Sequence, residues 1–88
     1  MNVESKSVLV ADDQRVIRNI VRFKLEHAGF TVVTAQDGTE AWDLLLAGDF
    51  GLVITDYSMP GMNGEDLCRR MREDDRFKDR DLRRSFRA

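Results

Sequence analysis

Apolar and polar positions along this chain switch between two periods. Three short runs have the length and continuity of strands buried on both faces: Ser7-Val8-Leu9-Val10-Ala11, Thr31-Val32-Val33-Thr34-Ala35, and the stretch from Gly51 to Thr55. Between the first two, Val16, Ile17, Ile20, Val21, Leu25 and Ala28 recur at helical spacing, which predicts a helix over about 14–28, closed by Gly29. Gln36-Asp37-Gly38-Thr39 supplies turn and N-cap chemistry for a second helix through Ala41, Leu44, Leu45 and Ala47, stopped at Gly48. A loop from Asp56 to Asn63 precedes a third helix, about Gly64 to Glu73, with Leu67 and Met71 one turn apart on its inner face. The order βαβαβα, with right-handed crossovers, predicts an α/β fold: a parallel sheet covered by helices on both faces.

Two of these strands end on carboxylates. The first runs into Asp12-Asp13 and the third into Asp56. Ligands of an open parallel sheet gather beyond the carboxyl ends of its strands, so strands one and three lying side by side bring three acids to one spot. Read without a nearby Lys or Arg, such acids repel one another until a hard cation neutralises them, which points to a magnesium-type site.

Eighty-eight residues allow one small domain that buries about 60–65% of its unfolded surface. The polar start, Met1-Asn2-Val3-Glu4-Ser5-Lys6, lacks the apolar run of a signal peptide, and no apolar stretch is long enough to span a bilayer. These features give the expectation of a cytoplasmic chain with no membrane contact. Cys68 is alone, so one chain can build neither a disulfide nor a cysteine metal cluster. The net charge of −2 is unevenly spread: residues 1–68 carry −6 and residues 69–88 carry +4. The basic end intersperses Glu73, Asp74, Asp75, Asp79 and Asp81 and offers only Phe77 and Phe86 for stacking, so it reads as a solvated face and tail rather than a nucleic-acid arm.

The strand ends also carry a resemblance. Asp12-Asp13 after the first strand, Ala35-Gln36-Asp37-Gly38 after the second, and Asp56-Tyr57-Ser58-Met59-Pro60-Gly61-Met62-Asn63-Gly64 after the third resemble the receiver domain of two-component response regulators, over residues 7 to about 79. The resemblance implies a flavodoxin-like fold. It also implies that Asp56 is phosphorylated by a histidine kinase or phosphotransfer protein. Residue by residue, Asp12 and Asp13 match the acidic pair that binds Mg2+, Asp56 is both acceptor and ligand, and Ser58 matches the position whose backbone carbonyl completes the metal's shell. An aspartyl-phosphate hydrolase of the haloacid-dehalogenase kind would want a second acid two residues after the nucleophile, where this chain has Ser58.

After Phe77-Lys78-Asp79 the family pattern breaks off, and Arg80 to Ala88 has no run that reads as a buried strand. The expectation is therefore a partial receiver domain over 1–79, a basic tail of unrelated character over 80–88, and an incomplete, C-terminally truncated sheet of order 2-1-3 with strands four and five missing. The family's switch hydroxyl and phosphate-pairing lysine then have no positional match, which would impair phosphate-dependent switching. Ser85 follows two arginines, and Lys6, Lys24 and Lys78 lie away from the acids. Without strand four, strand three becomes an exposed edge, from which self-association is expected. A second reading makes the chain an unphosphorylated remnant that acts only as a self-association or protein-interaction module. His27, Cys68 and Trp42 read as a helix-end cation, a small buried hydrophobe and partly buried packing.

Overall fold

The computed structural model describes residues 6–48, 50–56, 61–75 and the backbone of 81–85. The elements run β1 (Ser7–Ala11), α1 (Arg15–His27), β2 (Thr31–Ala35), α2 (Gly38–Ala47), β3 (Leu52–Asp56), α3 (Gly64–Glu73) and β4 (Asp81–Ser85). All pairings are parallel and the sheet order is β2-β1-β3-β4. The 2-1-3 arrangement expected from the sequence is present. Its reversal at β1 places α1 on one face and α2 and α3 on the other, because every crossover is right-handed.

Alternation along the strands sorts their side chains between these faces. Leu9, Ala11, Val33, Ala35 and Val53 point to the face shared with Ala41 and Leu45 of α2 and Leu67 and Met71 of α3. Leu9, Ala41 and Leu67 are fully buried there. Val8 and Val10 point to the other face and are equally buried, yet α1 above them contributes no fully buried residue. Its Ile17, Val21 and Leu25 are half-buried, while Val16, Ile20 and Phe23 stand 68%, 48% and 70% exposed. The core is therefore one-sided.

Local chemistry sets the helix ends. Asp37 accepts from the Glu40 N–H at 2.8 Å while Glu40 Oε1 accepts from the Gln36 N–H at 2.8 Å, a reciprocal arrangement close to a capping box. Asn63 caps α3 by accepting from the Asp66 N–H at 2.8 Å. α1 ends where Gly29, at φ 100°, turns the chain so that the Phe30 N–H reaches the Leu25 carbonyl at 3.0 Å. His27 lies in that last turn and stacks on Phe23 at 6.1 Å, Cys68 is buried, and the half-buried Trp42 ring lies 5.6 Å below the Arg70 guanidinium.

One expectation is corrected. Residues 81–85, read as lying outside the sheet, pair with β3 from Leu52↔Asp81 through Asp56↔Ser85, so a fourth strand is present. The segment Asp-Leu-Arg-Arg-Ser has no apolar alternation to betray it, but an edge strand needs only its backbone to join a ladder, and charges are common on such edges. No fifth strand occurs among the described residues. Two consequences follow. β3 extends to Asp56 rather than ending at Thr55, because Asp56 has a partner on β4. β3 also lies inside the sheet, so the exposed strand-three edge on which self-association rested does not exist, and the sheet's edges are β2 and β4.

The one-sided core makes truncations unequal. Leu67→Ala is expected to lower unfolding free energy by about 2–5 kcal/mol, whereas Phe23→Ala on the open face should stay within about 0.5 kcal/mol. Urea denaturation followed by circular dichroism measures both.

Candidate functional site

Register brings the acids together. β1 and β3 pair as Ala11↔Thr55, so Asp12 and Asp56, each one residue further, end adjacent strands at the same edge. Asp12 is 5% and Asp56 3% exposed, whereas Asp13 faces solvent. One carboxylate oxygen from each of Asp12, Asp13 and Asp56 lies within 4.8 Å of the others. The three carboxylates singled out in the sequence thus form one cluster. Ser58, the fourth residue of that set, and Tyr57 beside it lie outside the described residues.

Hydrogen bonds fix Asp12 at three of its atoms. Its N–H donates to the Ala35 carbonyl of β2 at 3.0 Å, and its Oδ1 accepts from the Gln14 N–H at 2.9 Å. Its carbonyl accepts from Arg18 Nη1 at 2.8 Å. The Thr55 hydroxyl, fully buried, donates to the Asp56 carbonyl at 3.1 Å. Two like charges at this separation repel by roughly 3 kcal/mol at an effective dielectric near 20. A third carboxylate adds to that. Oxygen donors in a compact, partly open set fit a small hard cation that keeps some of its waters. Softer ligands are remote: Cys68 is packed into the core side of α3 and His27 sits at the far end of α1.

The loop after β3 is braced by the start of α2. Gly61 adopts φ 76°, a conformation that side-chain-bearing residues avoid, and a Cβ there would meet Thr39 Oγ1 at 3.0 Å. Gly38 is tighter. A Cβ on it would overlap the Met62 carbonyl oxygen, which is backbone and cannot swing aside as a side chain could. Gly38 therefore sets how closely the Met62 backbone lies against the start of α2.

Two of these residues were not legible as parts of the site. Gly38 reads in the sequence as turn chemistry, and its contact with Met62 joins positions far apart along the chain. Arg18 contradicts the expectation of acids without a nearby cation: six residues after Asp12, it comes one turn into α1 and reaches back over the strand end. The basic position inside the first turns of the helix was the available signal. Ser85 also changes status. Its register partner is Asp56, so the end of β4 comes beside the acid cluster, although two arginines precede Ser85.

Known proteins share this arrangement. A family profile described as the response regulator receiver domain matches residues 8–80. The chain is 43% identical over 72 residues to chemotaxis protein CheY of Pseudomonas aeruginosa, covering 81% of this chain and 58% of that protein. It is 43% identical over 74 residues to CheY1 of Helicobacter pylori strain 26695, covering 82% and 60%. The chain thus spans about three-fifths of the length of these relatives. Among solved structures it resembles the chemotaxis response regulator CheY4 of Vibrio cholerae, with a TM-score of 0.87 at 32% identity over 91% of this chain and 67% of that one. It also resembles the response regulator TrrA of Thermotoga maritima in complex with Mg2+ and BeF, with a TM-score of 0.81 at 33% identity over 86% and 64%.

The Gly38 contact predicts a specific failure. Gly38→Ala should cost about 1–3 kcal/mol of stability through overpacking, with amide signals of Met62 and Asn63 moving in a 1H–15N spectrum. Gly48→Ala, whose methyl would meet the Phe50 ring at 3.2 Å and the Leu44 carbonyl oxygen at 3.5 Å, should leave those signals in place.

Proposed function

This chain belongs to the receiver-domain family of two-component response regulators, and on that premise we propose that Asp56 accepts a phosphoryl group from a histidine kinase or phosphotransfer protein. The observation that carries this reading is the convergence of Asp12, Asp13 and Asp56 within 4.8 Å. In this proposal the two acids after β1 and Asp56 hold Mg2+ together with the backbone carbonyl of Ser58. A carboxylate oxygen of Asp56 attacks the phosphorus of a phosphohistidine in line, forming the P–O bond of an acyl phosphate as the P–N bond breaks. The leaving imidazole nitrogen keeps the electron pair and returns to its neutral state. Bound Mg2+ would neutralise charge on the phosphoryl oxygens, a contribution of several kcal/mol. Asp12 and Asp13 act as ligands rather than nucleophiles. The chain is an acceptor and not a substrate-turning enzyme, and hydrolysis of its own acyl phosphate would return it to the resting state.

Ser85 is the residue we assign to sensing the phosphoryl group, since it closes β4 beside Asp56. For the partner, the exposed apolar residues of α1, Val16, Ile20 and Phe23, begin three residues after Asp13 and give a protein donor apolar surface next to the acceptor. No helix among the described residues is long and apolar enough to cross a membrane. We place the chain in the cytoplasm, where a kinase's donor domain and Mg2+ are both available, and assign it no role with nucleic acid. Of the rival reading, an unphosphorylated self-association or protein-interaction module, only the strand-three route loses support, because β3 is covered by β4.

A small acyl-phosphate donor with Mg2+ should add one phosphoryl group to the wild type by intact mass, and none to Asp56→Asn or to wild type with excess chelator. No gain in the wild type would sink the proposal. With a phosphorylated histidine-protein donor, Ile20→Asp should slow transfer at least about tenfold, which corresponds to about 1.4 kcal/mol of lost encounter energy. Labelling by the small donor should be unaffected.

A further inference from the structure

We infer that Arg18 is a positioning residue for the cation site, holding the backbone of Asp12 so that the acid cluster keeps its divalent affinity. The inference rests on the proposed cation role of that cluster. Two of the hydrogen bonds that fix Asp12 have main-chain donors, the Asp12 N–H to the Ala35 carbonyl and the Gln14 N–H to Asp12 Oδ1. The third, from Arg18 Nη1 to the Asp12 carbonyl at 2.8 Å, depends on the identity of a side chain.

The path of the bond argues for positioning. Arg18 is half-buried on α1, and its own N–H donates to the Gln14 carbonyl at 3.0 Å. Asp12, Gln14 and Arg18 thus close a ring in which the first turn of α1 is tied to the end of β1 at both its backbone and its side chain. A planar guanidinium, less strongly hydrated than an ammonium and with donors in a fixed fork, suits a half-buried carbonyl of this kind. Its donation to the main chain orients the ligand-bearing residue while the Asp12 carboxylate stays in the acid cluster.

Arg18 also carries positive charge toward a site meant for a cation, so its two effects have opposite signs. Charge alone would weaken cation binding, and removing it would tighten the site. Positioning strengthens binding, and removing it would loosen the site. Neighbours that orient metal ligands typically contribute about 10–100-fold in affinity, which outweighs a single half-solvated charge. The sign of the change therefore decides the matter.

The test is Mg2+ titration of the full chain by isothermal calorimetry, without any phosphodonor. Arg18→Ala should bind Mg2+ about tenfold more weakly than the wild type, and Arg18→Lys, which keeps a donor of similar reach, should recover part of the loss. With a small acyl-phosphate donor, the deficit of Arg18→Ala should appear at low Mg2+ and vanish at saturating Mg2+. Should Arg18→Ala not fold, Arg18→Lys and Arg18→Gln carry the same comparison. Unchanged or tighter Mg2+ binding in the variants overturns the inference. A wild type that binds Mg2+ but takes no phosphoryl group defeats the acceptor reading and leaves Arg18 judged by the titration. A wild type that binds no Mg2+ overturns both.

Discussion

The parallel register between β1 and β3 is the constraint on which the rest depends. With Ala11 opposite Thr55, Asp12 and Asp56 finish their strands together, and a shift of one residue would move both the core face and the acids. The same pairing that buries Leu9 against Val53 places the carboxylates at the open end of the sheet. Packing and chemistry are set by one alignment. The apolar core resists slippage, and the acid cluster inherits a geometry that it could not hold unaided, since its own charges push apart.

Much of this was readable from the residue pattern, for a physical reason. Strands β1 and β2 and all three helices announce themselves through periodicity, and their observed ends differ from the expected ones by no more than a residue or so, as at α1, expected over about 14–28 and found at Arg15–His27. Asp12, Asp13 and Asp56 were legible as one site because strand ends converge in a parallel sheet. β4 was not legible: Asp81–Ser85 lacks apolar alternation, and its pairing rests on backbone groups that every sequence carries. Arg18 and Gly38 escaped for a related reason. Their roles lie in contacts with the Asp12 carbonyl and the Met62 backbone, and main-chain partners leave no mark in a residue pattern.

The two faces of the sheet divide the labour. The α2 and α3 face carries the connected core, and at Gly38 the start of α2 packs against the backbone of Met62. The α1 face carries little buried side-chain area of its own, yet it supplies two of the three bonds that fix Asp12. Rigidity comes from one side and fine adjustment of the acid cluster from the other.

That α1 buries no residue fully has a consequence for how the domain breathes. A helix with no fully buried residue is expected to open at a lower free energy than the elements around Leu9 and Leu67. Each opening would release the Gln14 and Arg18 bonds and so loosen Asp12. On the proposed cation role, linkage would run in both directions: a cation on the acids would favour the closed helix, and clamping the helix would tighten the hold on that cation. The helix that buries no residue fully is thereby tied to the acid cluster.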